Sequence, residues 1–201
     1  NPVDVLAQFA QEVSGLPAAR VISSGTVLDS ARLRALLGRA LGVEPRSVHA
    51  YVVGEHGDSE VAAWSSARVA GVPLREFCEG AGRECPDFDE LLGRVRRAAP
   101  EIIERKGYTS VAIASCVARI CEAVLRDEHS VLPVSTLTTG QYGIEGVYLS
   151  LPCVIGRAGV ERVIEIPLDE AERAGLRASA DTLRRTTADL RAGLKAADGR
   201  Q

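Results

Sequence analysis

The stretch from Thr109 to Leu125 constrains the fold more than any other part of this chain. Its apolar residues cover nearly the whole circumference of a predicted helix, and Arg119 and Glu122 are its only charges. A helix that is apolar all round is normally buried on several sides. We therefore expect this helix to lie between two packed layers.

Other segments alternate between helical and strand-like patterns. Helical spacing or composition predicts helices over residues 5–13, 28–41, 60–69, 87–106 with a break at Pro100, and 169–195, the last beginning at a capping box of Asp169 and Glu172. Strands are predicted over residues 20–22, 48–53, 131–137, 146–151 and 162–166. Turn-rich segments separate the last three strands, as in an antiparallel meander. The expected fold class is α+β.

Composition excludes several classes of function. The 201 residues carry a net charge of −3, which argues against a nucleic-acid binder. No window approaches 18 uncharged apolar residues, so no membrane span is expected. Five cysteines without a C-x-x-C pair indicate reduced thiols in a cytosolic protein and make a structural zinc site improbable. The glycine fingerprint G-x-G-x-x-G is also absent, so any dinucleotide site made by this chain is incomplete.

His56 is the first candidate for chemistry. It lies in a polar turn between Gly54 and Gly57, directly after an apolar strand. An imidazole titrates near neutral pH and can give or take a proton. The alternative interpretation is an ordinary surface histidine in a turn.

Asp29 and Arg32 form a second candidate group, because residues three apart on a helix share a face. A carboxylate beside an imidazole fixes its tautomer and favours its charged form, and an arginine can hold a substrate carboxylate with two hydrogen bonds. The alternative is an ordinary ion pair on a helix surface. Together with His56 they would suit proton transfer on a small carboxylic acid, although spacing does not show that they meet.

Two other arrangements around His56 are weaker hypotheses. Glu55, His56 and Asp58 could ligate a metal, and Ser59, His56 and Asp58 contain the residue types of a hydrolytic triad. Residues adjacent in one turn rarely converge on one point, and triad members must be close in space rather than in sequence. We therefore predict no metal site.

Five segments of the chain resemble signature segments of the L-lactate dehydrogenases, in the order in which that family has them. They are Asn1–Asp4, Ser24–Arg32, Gly54–Ser59, Lys106–Ser110 and Val134–Thr136. The resemblance covers nearly the whole chain and roughly the C-terminal three-fifths of a family member. Glu55 and Ser59 favour lactate over malate dehydrogenases. The resemblance implies NAD-dependent interconversion of pyruvate and L-lactate.

The resemblance also implies roles for individual residues. His56 is the acid–base catalyst, Asp29 orients it and stabilises its cation, and Arg32 binds the substrate carboxylate. Asn1 helps hold the substrate oxygen near the nicotinamide and is the one cofactor-binding residue in the chain. Thr109 lines the pocket close to the substrate methyl group.

A regulatory site is implied as well. Arg34 is about 200° around the helix from Arg32 and must point away from the face that Arg32 uses. Arg34 and His49 match positions at which bacterial members of the family bind fructose 1,6-bisphosphate across a subunit interface. The alternative is a solvated arginine and a strand histidine. The resemblance further implies a cytosolic homotetramer.

The chain has no methionine and opens at Asn1-Pro2, which predicts a piece of a longer polypeptide; a processed or engineered start is the alternative. We expect residues 1–23 to be the last helix and strand of an NAD-binding Rossmann domain, and residues 24–201 to be the catalytic domain of the lactate/malate dehydrogenase type. The isolated chain is expected to lack dehydrogenase activity. A malate or other 2-hydroxyacid dehydrogenase, and a non-catalytic structural or assembly module, remain as alternatives.

Overall fold

A computed structural model describes residues 1–80 and 84–198 of the chain. The helices are α1 (Val3–Ser14), α2 (Val27–Leu41), α3 (Leu74–Gly80), α4 (Phe88–Lys106), α5 (Val111–Leu125) and α6 (Glu170–Asp198). The strands are β1 (Val48–His49), β2 (Val52–Val53), β3 (Val61–Ala62), β4 (Arg68–Val69), β5 (Val72–Pro73), β6 (Ser130–Thr139), β7 (Glu145–Gly156) and β8 (Gly159–Val163). The predicted mixture of helices and strands is confirmed.

Strands β6, β7 and β8 form the antiparallel meander that the sequence predicts, with β7 in the centre. Leu149 and Leu151 on β7 pack in one core cluster with Leu176 and Leu183 of α6. Further along β7, Ile155 joins a second cluster with the buried side of α5. The meander is therefore the layer against which α5 and α6 are both packed.

The long helix α6 begins at the predicted capping box. The backbone N–H of Glu172 donates to Asp169 Oδ1 over 2.8 Å, and the N–H of Asp169 donates to Glu172 Oε2 over 2.9 Å. Such reciprocal bonds satisfy N–H groups that a helix start leaves without partners. The start is thus fixed locally, before packing contributes.

The segment from residue 48 to residue 69 differs from the prediction. The expected single strand is two short strands, β1 and β2, separated by Ala50 and Tyr51. The expected helix over residues 60–69 is wrong: that segment contains β3, a 3-10 turn at Trp64–Ser66, and β4. Val61 pairs with β2 and Val69 with β1, so cross-strand pairing overrides the weak helical spacing.

Two smaller expectations are also corrected. Residues 20–22 do not form a strand; a 3-10 turn ends at Arg20, and a lone bridge joins Ser23 to Ser135 of β6. Pro100 does not break α4, which is continuous through it. Pro100 is exposed, so water can bond the carbonyl group that its missing N–H leaves free. The proposed domain division at residue 23 stays a prediction.

Helix α5 is covered on one side only. Cys116, Ile120 and Ala123 are buried against the meander. Val111, Val117 and Leu125 are 69%, 46% and 77% exposed. Within the described residues, the burial expected from the apolar circumference is therefore present on one side of α5, and the other side is exposed apolar surface. None of the helices in those residues combines the length and the apolar character that crossing a membrane requires.

Candidate active site

A cavity of about 520 Å³ opens between the start of α2, the first residues of the chain and the segment from the end of α4 to the start of α5. Four of the predicted site residues line it: Asn1, Arg32, His56 and Thr109. Asp29 lies behind His56, bonded to its ring. The fold thus brings together side chains that are up to 108 positions apart in the sequence.

The first turn of α2 is tied to the strands beside it. Thr26 Oγ1 donates to the carbonyl oxygen of Val52 over 2.6 Å, and Ser30 Oγ accepts the Val52 N–H over 2.8 Å. Gly25, with φ +47°, precedes this turn, and a Cβ there would lie 2.6 Å from the backbone nitrogen of Ser135. Only glycine fits so close to β6. The close contact between Gly25 and β6 helps to fix the position of the first turn of α2, which bears Asp29.

The central contact joins His56 Nδ1 to Asp29 Oδ2 over 2.6 Å. Asp29 is buried, whereas His56 is partly open to the cavity. The hydrogen bond to Asp29 raises the pKa of His56, burial of the ring opposes that rise, and the negative charge of Asp29 adds to it. With Nδ1 engaged by the carboxylate, Nε2 is the ring nitrogen left for proton exchange.

A second carboxylate holds the backbone of the same turn. Asp4, near the start of α1, accepts the backbone N–H of His56 at Oδ2 over 2.9 Å. Asp4 is almost fully buried, and burial raises its pKa. The sequence marks Asp4 only as an acidic residue in the first turn of a helix, so nothing in the local pattern indicates this contact.

Arg32 lies beside the pair on the next turn of α2. Its Nη1 is 3.5 Å from Asp29 Oδ1, and its side chain lines the cavity. One ion pair at this distance leaves most of the five guanidinium donors available to another acceptor. A small carboxylic acid in the cavity could therefore be held by Arg32 while His56 reaches its oxygen atom.

Glu60 is a further buried carboxyl group that sequence reasoning missed. One ligand atom each of Asp29, His56 and Glu60 lie within 4.8 Å of one another. Burial, and secondly the negative charge of Asp29, raise the pKa of Glu60 to about 8. Its position as the first residue of the helix predicted over residues 60–69 gave no signal of a role.

The two weaker arrangements around His56 are not assembled. Ser59 Oγ is hydrogen-bonded to the Glu55 carboxylate and lies 3.1 Å from Ser179 Oγ, so its partners do not include His56. Glu55 and Asp58 do not cluster with His56 as potential ligands; Asp29 and Glu60 do, but Asp29 already holds the ring nitrogen. A separate, more exposed group consists of Asp127, His129 and Glu161.

Arg34 and His49 lie on the other side of α2. Arg34 Nη1 donates to the carbonyl oxygen of Ala50 over 3.4 Å, so its side chain reaches the strand segment that bears His49. Burial lowers the pKa of Arg34. Arg34 is absent from the lining of the cavity that Arg32 faces, as their angular separation predicts. His49 is exposed.

Comparison with known proteins gives the same family throughout. Residues 26–192 match the lactate/malate dehydrogenase, alpha/beta C-terminal domain. The chain is 49% identical to an L-lactate dehydrogenase of Thermoanaerobacter sp. (strain X514) and 53% identical to that of Moorella thermoacetica, covering 94% of this chain and 62% and 61% of those proteins. A solved structure, the minor L-lactate dehydrogenase of Enterococcus mundtii in its ligands-bound form, superposes with a TM-score of 0.90 at 41% identity, over 94% of this chain and 60% of that one.

The chain belongs to the lactate/malate dehydrogenase family, through the alpha/beta C-terminal domain of that family. Within it, the relatives named above carry the name L-lactate dehydrogenase. The chain spans about three-fifths of the length of the curated relatives it matches.

Proposed function

We propose that this chain is the catalytic, substrate-binding part of an NAD-dependent L-lactate dehydrogenase, which interconverts pyruvate and L-lactate. The observation that carries the proposal is the 2.6 Å contact between His56 and Asp29 beside Arg32, in one cavity with Asn1 and Thr109. An imidazole held by a buried carboxylate and placed next to an arginine suits a substrate that has a carboxylate adjacent to a carbonyl or hydroxyl group.

His56 moves the proton. When lactate is oxidised, neutral His56 accepts the hydroxyl proton at Nε2, and the resulting cation is stabilised by Asp29. When pyruvate is reduced, protonated His56 returns the proton to the carbonyl oxygen. Such positioned proton transfer contributes about 10²–10⁴-fold to a rate. Arg32 binds the carboxylate and fixes which face of C2 is presented, and Thr109 lies near the substrate methyl group.

NAD, when bound, accepts or supplies the hydride at C2. The residues present fit its nicotinamide end: apolar Val3, Leu28 and Ile113 line the cavity next to the polar side chain of Asn1. The chain contains no glycine fingerprint for the pyrophosphate. We therefore infer that only the nicotinamide end of the cofactor would meet this chain, and that the isolated chain does not turn over lactate.

A fusion protein tests the proposal. Its N-terminal part is the portion of the Moorella thermoacetica enzyme that this chain does not span, and its C-terminal part is residues 1–201. We expect the folded fusion to oxidise NADH in the presence of pyruvate and the His56→Asn variant to have lost that activity. A folded fusion without pyruvate-dependent activity would favour the non-catalytic alternative. NADH formation by the isolated chain with lactate would contradict its expected inactivity.

The alternative of a malate dehydrogenase needs a different measurement, because the upstream part of such an enzyme also shapes substrate preference. The polypeptide as its gene encodes it should reduce pyruvate faster than oxaloacetate at equal concentration. A reversed preference would assign the chain to malate or another 2-hydroxy acid.

The effector site and the homotetramer are part of the same proposal. Arg34 and His49, doubled by a two-fold axis, would present four cationic or imidazole groups to the two phosphates of fructose 1,6-bisphosphate. We expect this sugar bisphosphate to activate the fusion, and Arg34→Gln to abolish activation, while Arg39→Gln, farther along α2, retains it. An unmodified fusion that is tetrameric but indifferent to the effector would refute the site.

A further inference from the structure

Glu60 lies next to the acid–base pair, yet the mechanism above does not use it. Its side chain is 3% exposed, and the buried Oε1 atom has no hydrogen-bond partner. The nearest cation, Arg96 of α4, places its Nε 3.9 Å from Oε1, which is beyond hydrogen-bond distance. Arg96 Nη2 donates instead to the backbone carbonyl of Glu60. An ionised carboxylate in such a place is poorly compensated.

The carboxyl group is close enough to interact strongly with its neighbours. Ligand atoms of Glu60, Asp29 and His56 lie within 4.8 Å of one another. Two carboxylates at this separation disfavour each other's charged forms, whereas an imidazolium favours both. Groups coupled in this way lose their protons in steps that belong to the cluster rather than to one residue.

Charged groups from three helices act on this cluster. Helix α1 contributes Asp4, α2 contributes Asp29 and Arg32, and α4 contributes Arg96. Arg32 and Arg96 favour the ionised form of Glu60, but burial and Asp29 outweigh them. The carboxyl group, whose pKa is raised to about 8, therefore stays protonated at neutral pH, and the pKa of the neighbouring imidazole is raised as well.

We propose that Glu60 is a positioning residue of the acid–base site, whose carboxyl group determines how readily His56 holds its proton. The link to catalysis rests on the proposed function; the link between Glu60 and His56 does not. Ionised Glu60 raises the pKa of His56, so His56 remains a proton donor in more alkaline solution than Asp29 alone would permit. Arg96 holds the backbone carbonyl of Glu60 by a hydrogen bond from α4, the helix that also forms one wall of the cavity.

The test follows His56 by NMR in the 201-residue chain. The C–H resonances of its three histidines are assigned and titrated from pH 5 to pH 10. In the unmodified chain we expect the His56 signal to report two steps, the second reflecting Glu60. In Glu60→Gln, which keeps the shape of the neutral carboxyl group, we expect the second step to disappear and one step to remain.

Two further variants keep the outcome interpretable. Arg96→Gln removes the nearby cation and leaves Glu60 in place; it should suppress the second step, because Glu60 then stays protonated to higher pH. Glu101→Gln, at an exposed carboxylate of α4, should leave the His56 titration unchanged. If Glu60→Gln folds and titrates like the unmodified chain, changing only the melting temperature, Glu60 is a structural residue and the proposal is wrong. An inactive fusion with a normal two-step titration would instead contradict the proposed function alone.

Discussion

The two walls of the cavity are built differently. One wall is α2, whose Leu33 and Leu37 are completely buried and whose first turns carry Asp29 and Arg32. The other is the segment from residue 99 to residue 113, where Ile103 and Tyr108 are about half exposed. Groups that exchange protons need fixed distances, and a buried helix supplies them. A wall with few buried contacts opens at a low free-energy cost, which suits the entry of a ligand.

The largest effect should come from breaking the rigid wall's chemistry. Asp29→Asn in the fusion keeps the shape but removes the charge that stabilises protonated His56, so kcat should fall by about 10²–10⁴-fold. Thr109→Val on the opposite wall should change kcat and KM by about tenfold or less, because the proposed function gives Thr109 only a contact to the substrate. Steady-state kinetics of pyruvate reduction measures both.

Equal losses of kcat from these two substitutions would mean that the two walls contribute alike to the reaction. The matched control is Asp181→Asn, at an exposed carboxylate of α6 paired with Arg184, where the kinetics should not change.

A second prediction compares the packing of the walls. Leu33→Ala should lower the free energy of unfolding of the chain by about 2–5 kcal/mol, because it leaves a cavity in a close-packed core. Ile103→Ala, at a side chain that is 48% exposed, should cost less than about 1 kcal/mol. Urea denaturation followed by circular dichroism gives both values. A cost for Ile103→Ala as large as that for Leu33→Ala would show that the second wall is as tightly packed as the first.

A third prediction concerns pH. The folded-state pKa of Glu60 is about 8, above its ordinary value of 4.5, and burial raises the pKa of Asp4. The folded chain therefore binds more protons than the unfolded chain between about pH 4.5 and pH 8, and its stability falls as pH rises through that window. His56, whose pKa is also raised, acts in the same direction: its stabilisation is complete below about pH 6.5 and is lost as pH rises through its folded-state pKa.

The substitution Glu60→Gln isolates the carboxyl contribution. As pH rises from 5 to 9, the free energy of unfolding of this variant should increase by about 2–4 kcal/mol relative to that of the unmodified chain, since the variant has no carboxyl proton to lose at residue 60. Glu101→Gln on the exposed wall should show no such gain. Parallel pH dependences in all three proteins would mean that Glu60 ionises normally in the fold.

The sequence predicted best where a local pattern and the packing agree. The helix over residues 27–41, the meander and the capping box of α6 all follow from spacing or from residue chemistry within a few positions. The expectation that His56, Asp29 and Arg32 meet came from the family resemblance. Asp29 and Arg32 are three residues apart and His56 follows 24 positions after Arg32, but this spacing does not fix the distances between their side chains.

What the sequence did not reveal depends on contacts between remote segments. Asp4 reaches the His56 turn across 52 positions, and Glu60 is buried beside Arg96 of α4, 36 positions later in the chain. Helix α5 shows the converse, since its apolar circumference gave the helix correctly, but within the described residues only one side of it is covered. Periodicity reports what a helix could bury; the elements around it determine what is buried.

The close approach of Gly25 to the meander has a consequence for mutation. Any side chain there would meet β6 and push the first turn of α2 outward, and Asp29 would move with that turn. A misplacement of about 1 Å at a reacting group can cost roughly 10²-fold in rate. A residue that lacks a side chain thus limits how far apart the Asp29 carboxylate and the His56 imidazole can lie, and we expect the tolerance for substitution at Gly25 to be as low as at Asp29 and His56 themselves.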